Sequence, residues 1–124
     1  MRSQFFPQAG FLQYKIVFGD PAANLEKVKE LLQGMEAEAN AVVVLPELWA
    51  YGFDYANVQN LANQTPFLLK ELTTLASKLN IVLAGSLMEG GEGSEVFNTL
   101  FFVGPEGVLG RHASLLCRGA APDQ

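Results

Sequence analysis

The 124-residue sequence contains one cysteine, Cys117, and one histidine, His112. A single cysteine cannot form an internal disulfide, so the sequence predicts a protein of a reducing compartment, which we expect to be the cytoplasm. Thiol and imidazole groups do not recur at the spacings typical of metal sites. We therefore expect no metal and no other cofactor.

Basic residues are also scarce, since 8 Lys and Arg stand against 13 Asp and Glu, for a formal net charge of −5. Nucleic acids and anionic membrane surfaces are bound mainly through basic patches, so we expect neither as a partner. No apolar run approaches the length of a membrane span, and Pro7 interrupts the few apolar residues near the start. We expect no membrane anchor and no signal peptide.

What the sequence does contain is apolar material, with 49% hydrophobic and 17% charged residues and a mean hydropathy of +0.17. This composition is typical of a globular α/β protein whose surface is somewhat apolar for its size. An apolar surface favours contact with another chain. We therefore expect a homo-oligomer.

The most informative stretch is the apolar run from Ala41 to Leu45, which ends at Pro46 and is followed by Glu47. A short run without polar residues is typical of a strand that is buried on both faces in a parallel sheet. Proline cannot donate to a sheet, so the strand should end there. Ligands bind beyond the carboxyl ends of parallel strands, and Glu47 is therefore the first candidate for a reacting group.

Before this run, alternating apolar residues predict a strand from Phe11 to Phe18. Asp20 and Pro21 have the side chains expected at the N-cap and first position of a helix. Apolar residues at helical spacing continue this helix to about Ala39.

After the run, residues 52–65 predict a loop with one helical turn near 58–62. Thr65 is expected to cap a second helix that ends at Asn80 and carries a leucine stripe on its inner face. The stripe consists of Leu68, Leu72, Leu75 and Leu79.

The rest of the chain predicts a parallel strand at 81–85, a flexible acidic loop at 89–93, and an antiparallel hairpin. The hairpin pairs 96–103 with 108–112 through a tight turn. From Ala113 onward neither periodicity nor turn residues are evident, and we expect a frayed tail.

Several motifs in order resemble the amino-terminal part of the nitrilase superfamily, the carbon–nitrogen hydrolases. They are Gly19-Asp20-Pro21-Ala22-Ala23-Asn24, Val44-Leu45-Pro46-Glu47-Leu48-Trp49, Gly85-Ser86, and Phe97-Asn98-Thr99 with Gly107 to Gly110. The resemblance covers roughly 11–112, and Pro46-Glu47 is its most specific element. Tyr51 to Phe53 also resembles the aromatic sequence of amidase-type members that act on omega-amides of 2-oxo acids.

The resemblance implies an α/β fold, with a mixed, largely parallel sheet covered by helices on one face, as in half of an α-β-β-α sandwich. It also implies catalysis by a glutamate, a lysine and a cysteine, and Glu47 matches the glutamate. The lysine region corresponds to 110–114, where Ser114 holds the best-matching position and Arg111 and His112 are expected to point elsewhere. Cys117 matches none of the context of the family's nucleophile.

The aromatic residues Trp49, Tyr51 and Phe53 are expected to be divided between the core and the wall of a substrate pocket beside Glu47. We divide the chain into a partial hydrolase domain, 1–112, and a divergent tail, 113–124. Because the resemblance ends abruptly, we also expect a premature stop or an altered reading frame in the gene.

Three functions remain open from the sequence. One is an amidase-type hydrolase segment for a small non-peptide amide, inactive alone because it has only the glutamate. Another is a non-catalytic protein that associates with itself through an exposed sheet face. The last is a small flavodoxin-like ligand-binding domain, against which the hairpin and the lack of a phosphate loop both count.

Overall fold

A mixed five-stranded sheet with helices against it forms the core of the computed structural model, which describes residues 8–118. The elements in chain order are β1 (Ala9–Phe11), α1 (Pro21–Gln33), β2 (Val42–Val44), α2 (Val58–Ala62), α3 (Thr65–Leu79), β3 (Val82–Gly90), β4 (Val96–Gly104) and β5 (Gly107–Cys117). A 3₁₀ turn, Tyr55–Asn57, leads into α2. The expected α/β class and the helical turn near 58–62 are confirmed.

The strands lie side by side in the order β1-β2-β3-β4-β5. β1, β2 and β3 are parallel, whereas β3, β4 and β5 are antiparallel and longer. β2 ends directly before Leu45 and Pro46, as the proline predicts. The sheet is therefore parallel where Glu47 leaves it and antiparallel beyond.

Both long helices begin and end at recognisable residues. The Asp20 side chain accepts a hydrogen bond from the Ala23 N–H, and Pro21 occupies the first turn of α1. α1 ends at Gly34 rather than near Ala39, because glycine is unfavourable in a helix and the chain must turn back to enter β2. Asn80 ends α3 in the left-handed conformation, as expected.

The role expected for Thr65 is wrong, since it lies inside α3 and Gln64 is the N-cap. Its hydroxyl instead donates to the Met88 carbonyl of β3. The leucine stripe is confirmed, with Leu68, Leu72 and Leu75 buried and Leu79 partly buried. α3 therefore packs on the sheet through the predicted face.

The strand expected from Phe11 to Phe18 is wrong beyond its first residue. After the Leu12 N–H donates to the Val44 carbonyl, the chain leaves the sheet, because β2 also ends at Val44 and offers no further partner. Residues 12–18 run along the loop after β2 instead. There the Tyr14 hydroxyl donates to the Trp49 carbonyl at 3.0 Å.

The strands on the other side are longer than expected. β3 continues through Glu89 and Gly90, where an acidic loop was expected, because these two residues pair with Phe97 and Val96 of β4. β5 likewise extends over 113–117, so the expected frayed tail is wrong for these residues. Residues 119–124 lie outside the described part, and the division of the chain at residue 112 stays a prediction.

The sheet has one face covered by helices and one open face. The open face presents a row of apolar side chains that crosses the sheet, with Phe11 66%, Val44 45% and Phe102 39% exposed. The expectation that the Ala41–Leu45 strand is buried on both faces is therefore wrong for Val44. Among residues 8–118, no helix has both the length and the apolarity to cross a membrane.

Candidate active site

An open pocket of about 270 Å³ lies on the open face of the sheet, beyond the end of β2. Its wall is made by the segment after β2 and by facing residues of β3, β4 and β5. The lining residues are Leu45, Glu47, Ser86, Asn98, Leu100, His112 and Ser114. Glu47 is thus placed beyond a parallel strand and in a pocket, as its sequence position predicts.

The backbone after Glu47 is held in an unusual conformation. Leu48 has a φ of 48°, in the left-handed region that a residue with a side chain rarely adopts. Its N–H donates to the Ser86 Oγ at 2.8 Å, and its carbonyl accepts from the N–H groups of Tyr51 and Gly52 at 3.1 and 2.8 Å. The Leu48 side chain is also fully buried. These contacts fix the direction in which Glu47 leaves the sheet.

Glu47 is exposed at the surface of the pocket, where Asn98 of β4 holds it. The Asn98 Nδ2 donates to the Glu47 Oε2 at 2.8 Å. The other polar atom of this side chain, the Asn98 Oδ1, is buried and has no hydrogen-bond partner among the described residues. The carboxylate is therefore positioned by a neutral amide, and an unsatisfied acceptor lies beside it.

Residues 110–114 of β5, which correspond to the region of the family's lysine, direct their side chains alternately to the two faces of the sheet. His112 and Ser114 line the pocket, opposite Leu100 and Asn98 of β4. Arg111 lies on the helix-covered face, where it pairs with Glu89. The expectation that Arg111 points away is confirmed, whereas the same expectation for His112 is wrong.

No lysine or cysteine of residues 8–118 is among the residues that line this pocket. Cys117 lies near the end of β5 opposite Val96, partly buried and packed against the core. Its placement adds nothing that would mark it as a nucleophile.

The three aromatic residues expected near the substrate are placed apart from the pocket lining. Trp49 and Tyr51 are fully buried, while Phe53 is 43% exposed. The Tyr51 hydroxyl accepts a hydrogen bond from the Met88 N–H, and burial raises the pKa of Tyr51. In this arrangement Trp49 and Tyr51 support the core beneath Glu47, and a substrate contact for the three aromatics stays a prediction.

Sequence reasoning gave no role to Ser86 and Asn98, the two residues that position the Glu47 segment. Both lie in motifs that carry the resemblance, Gly85-Ser86 and Phe97-Asn98-Thr99. Their signal in the sequence was a small polar residue within an otherwise apolar strand. Such a residue needs a hydrogen-bond partner when it is buried.

Comparison with known proteins gives a family match over most of the chain. The model described as "Carbon-nitrogen hydrolase" matches residues 8–116. A curated relative from Bacillus subtilis (strain 168), "2-oxoglutaramate amidase", is 31% identical over 99 residues, which are 79% of this chain and 38% of the relative. "Hydrolase in agr operon" from Staphylococcus aureus is also 31% identical over 99 residues, with 78% and 38% covered. The chain spans about 38% of the length of these curated relatives.

Solved structures share the fold. A CN-hydrolase superfamily protein from Xanthomonas campestris, XC1258, matches at 25% identity and a TM-score of 0.72. The match covers 82% of this chain and 38% of the Xanthomonas chain. A carbon-nitrogen hydrolase from Helicobacter pylori G27 matches at 22% identity and a TM-score of 0.74. The match covers 87% of this chain and 39% of the Helicobacter chain. The likeness to the second structure is one of fold alone.

Proposed function

The chain belongs to the carbon–nitrogen hydrolase family, and from this premise we propose that it carries the general base, Glu47, of a site that hydrolyses a small non-peptide amide. The observation that supports the proposal is the hydrogen bond from Asn98 to Glu47 at 2.8 Å, on a pocket beyond a parallel strand. A base must be held within reach of the proton that it removes, and this contact holds the carboxylate on the open pocket.

The chemistry of the family explains what else the site needs. A thiol attacks an amide carbon as the thiolate, so a carboxylate must take the proton of the thiol. A cation then stabilises the negative charge of the tetrahedral intermediate, and water hydrolyses the thioester. Within residues 8–118 the pocket is lined by Glu47 but by neither a thiol nor a lysine. We propose that this chain alone hydrolyses no amide.

Ammonia release tests the proposed inactivity. The purified chain is incubated with 2-oxoglutaramate, chosen because of the name of the Bacillus relative. We expect no ammonia above the buffer blank. Ammonia release that is lost in Cys117→Ser would overturn the proposal, because it would show that Cys117 serves as the nucleophile.

A chimera tests the role of Glu47 itself. Residues 8–110 are joined to the part of the Bacillus relative that follows the corresponding position, which supplies the remaining groups. We expect the chimera to release ammonia, and Glu47→Gln in the chimera to lower kcat by about 10²–10⁴-fold, as for loss of a general base. Glu106→Gln, in the exposed turn between β4 and β5, is the matched control. Equal loss in both variants of a folded chimera would contradict the role.

The apolar row on the open face favours a second function, self-association. Phe11, Val44 and Phe102 expose apolar surface on one side of the sheet. Burial of such surface is worth about 25 cal/mol per Å². We propose that two copies of the chain associate by packing these apolar rows against each other. The chain would then act as a non-catalytic interaction protein.

A further inference from the structure

The carboxylate of Glu47 faces the pocket without a neighbouring cation. Five other glutamates of the described chain pair with Lys or Arg within 4 Å, namely Glu26, Glu30, Glu71, Glu89 and Glu95. Glu47 has no such partner among residues 8–118 and accepts a hydrogen bond from the neutral Asn98 amide instead. The negative charge in the pocket is therefore available to a cation from outside.

Two further acceptors adjoin this charge. The Asn98 Oδ1 is buried without a donor, an arrangement that is unfavourable unless a donor reaches it. The same side-chain amide donates to Glu47 through its Nδ2, so a donor that reaches the Oδ1 also lies close to the carboxylate. Ser114 lies directly across from Asn98 in the β4–β5 pairing and lines the same pocket. A donor-rich ligand would therefore meet a carboxylate, an amide oxygen and a hydroxyl.

The remaining walls limit the size of the ligand. Leu45 and Leu100 give the pocket an apolar side, and its volume of about 270 Å³ suits a small molecule with a short alkyl chain. The Glu47 carboxylate disfavours an anion in the same space. The pocket therefore selects a small cation that has both N–H donors and an apolar part.

We propose that this pocket binds a primary ammonium group. An ammonium carries three N–H donors, which match the Glu47 carboxylate, the Asn98 Oδ1 and the Ser114 Oγ. The carboxylate supplies the charge, and Leu45 and Leu100 contact the alkyl chain. Binding of this kind forms no covalent bond and needs neither a thiol nor turnover. The proposal therefore stands or falls separately from the hydrolase role.

Titration of the full ¹⁵N-labelled chain with methylammonium chloride, followed by NMR, tests the proposal. We expect saturable shifts of the Asn98 side-chain amide and of the Leu48 and Ser114 backbone amides. Tetramethylammonium has the same charge but no N–H donor, so it should bind at least about tenfold more weakly. Equal shifts with tetramethylammonium, or with sodium chloride at the same ionic strength, would overturn the proposal.

Variants of the full chain separate the contributions of the acceptors. Glu47→Gln removes the charge and should weaken methylammonium binding by about tenfold. Asn98→Ala, followed at the Leu48 and Ser114 amides, should weaken it several-fold. Glu106→Gln removes an exposed carboxylate elsewhere and should leave the affinity unchanged. Unchanged affinity in folded Glu47→Gln, or an equal loss in Glu106→Gln, would show that general electrostatic attraction causes the shifts and would overturn the site.

Discussion

At the scale of single residues, Leu48 shows how the chain holds its candidate base in place. A left-handed backbone costs a residue with a side chain about 1–2 kcal/mol. The cost is offset because the Leu48 side chain is buried and its N–H and carbonyl are both hydrogen bonded. Strained residues of this kind persist where the surrounding structure determines them, often beside functional groups. The direction of Glu47 therefore depends on Ser86, which anchors the Leu48 N–H.

Replacement of Ser86 by alanine should lower the free energy of unfolding by about 1–3 kcal/mol, because the buried Leu48 N–H loses its acceptor. Urea unfolding measures this value. Ser77→Ala, at an exposed position of α3, is the control and should change stability by less than about 0.5 kcal/mol. Equal effects of the two substitutions would show that the Ser86 contact is not needed.

Two tyrosines should make the fold sensitive to alkaline pH. Burial raises the pKa of Tyr14 and of Tyr51 above the value of about 10 expected in the unfolded chain. Folding then favours the protonated phenol, so the stabilisation is complete below pH about 10 and is lost as the pH rises above it. We expect the free energy of unfolding, measured in urea, to fall above pH about 10.

Tyr14→Phe should reduce the steepness of this alkaline loss, because one of the two buried phenols is gone. Tyr55→Phe removes an exposed tyrosine and serves as the control. A Tyr14→Phe protein that loses stability in parallel with the unmodified chain would contradict the prediction.

At the scale of elements, Asn24 joins three parts of the chain that no sheet pairing connects. Its buried side chain accepts from the Val17 N–H at 2.8 Å and donates to the carbonyls of Val17, Asp20 and Ala50 at 2.7, 2.9 and 2.6 Å. These contacts tie residues 12–18 and the start of α1 to the loop that follows Glu47. The side-chain amide of Asn24 thus connects these segments, as backbone hydrogen bonds connect the strands of the sheet.

Asn24→Ala should therefore lower the free energy of unfolding by about 3 kcal/mol or more, since it removes four hydrogen bonds and leaves the Val17 N–H and the Ala50 carbonyl without their partners. Hydrogen exchange of the Gly19 N–H, which donates to the Tyr51 carbonyl, should also become faster. Gln33→Ala, at the exposed end of α1, serves as the control. Slow exchange at Gly19 in the variant would contradict the role of Asn24 as a tie.

Elements whose determinants are local could be predicted from the sequence. The capping residue Asp20, the leucine face of α3 and the end of β2 before Pro46 all depend on neighbouring residues, and all are confirmed. The extents of β1 and β5 depend on the strand beside each of them, which no local pattern specifies. The same holds for the site. A proline after an apolar strand predicts the position of Glu47 from neighbouring residues alone. The contact of Asn98 with Glu47 depends on the pairing of strands that are distant in sequence.

At the scale of the whole molecule, the open face of the sheet should govern association. If two copies cover the apolar row, Val44→Lys combined with Phe102→Lys should convert a dimer into a monomer in sedimentation velocity. Both side chains are on the open face and partly exposed, so lysine can be accommodated in the monomer without a buried charge. The free energy of unfolding of the variant should remain close to that of the unmodified chain at low concentration.

Phe67→Lys is the matched control, because Phe67 is exposed on α3, away from the open face. It should leave the sedimentation coefficient unchanged. An unmodified chain that sediments as a monomer at every concentration would contradict self-association. Dissociation by Phe67→Lys alone would place the contact on the helices instead.

The irregularity of the β4–β5 ladder between Phe102 and Val103 decides which side chains of β5 line the pocket with Glu47. Phe102 pairs with Gly110 and Val103 with Val108, so Leu109 is an extra residue in β5. A bulge of this kind shifts the alternation of all later side chains by one position. If Leu109 instead paired with Phe102 in a regular ladder, Arg111 would stand opposite Leu100, where His112 now stands. The unpaired Leu109 thus decides that the imidazole of β5, and not the guanidinium next to it in sequence, lines the pocket of Glu47.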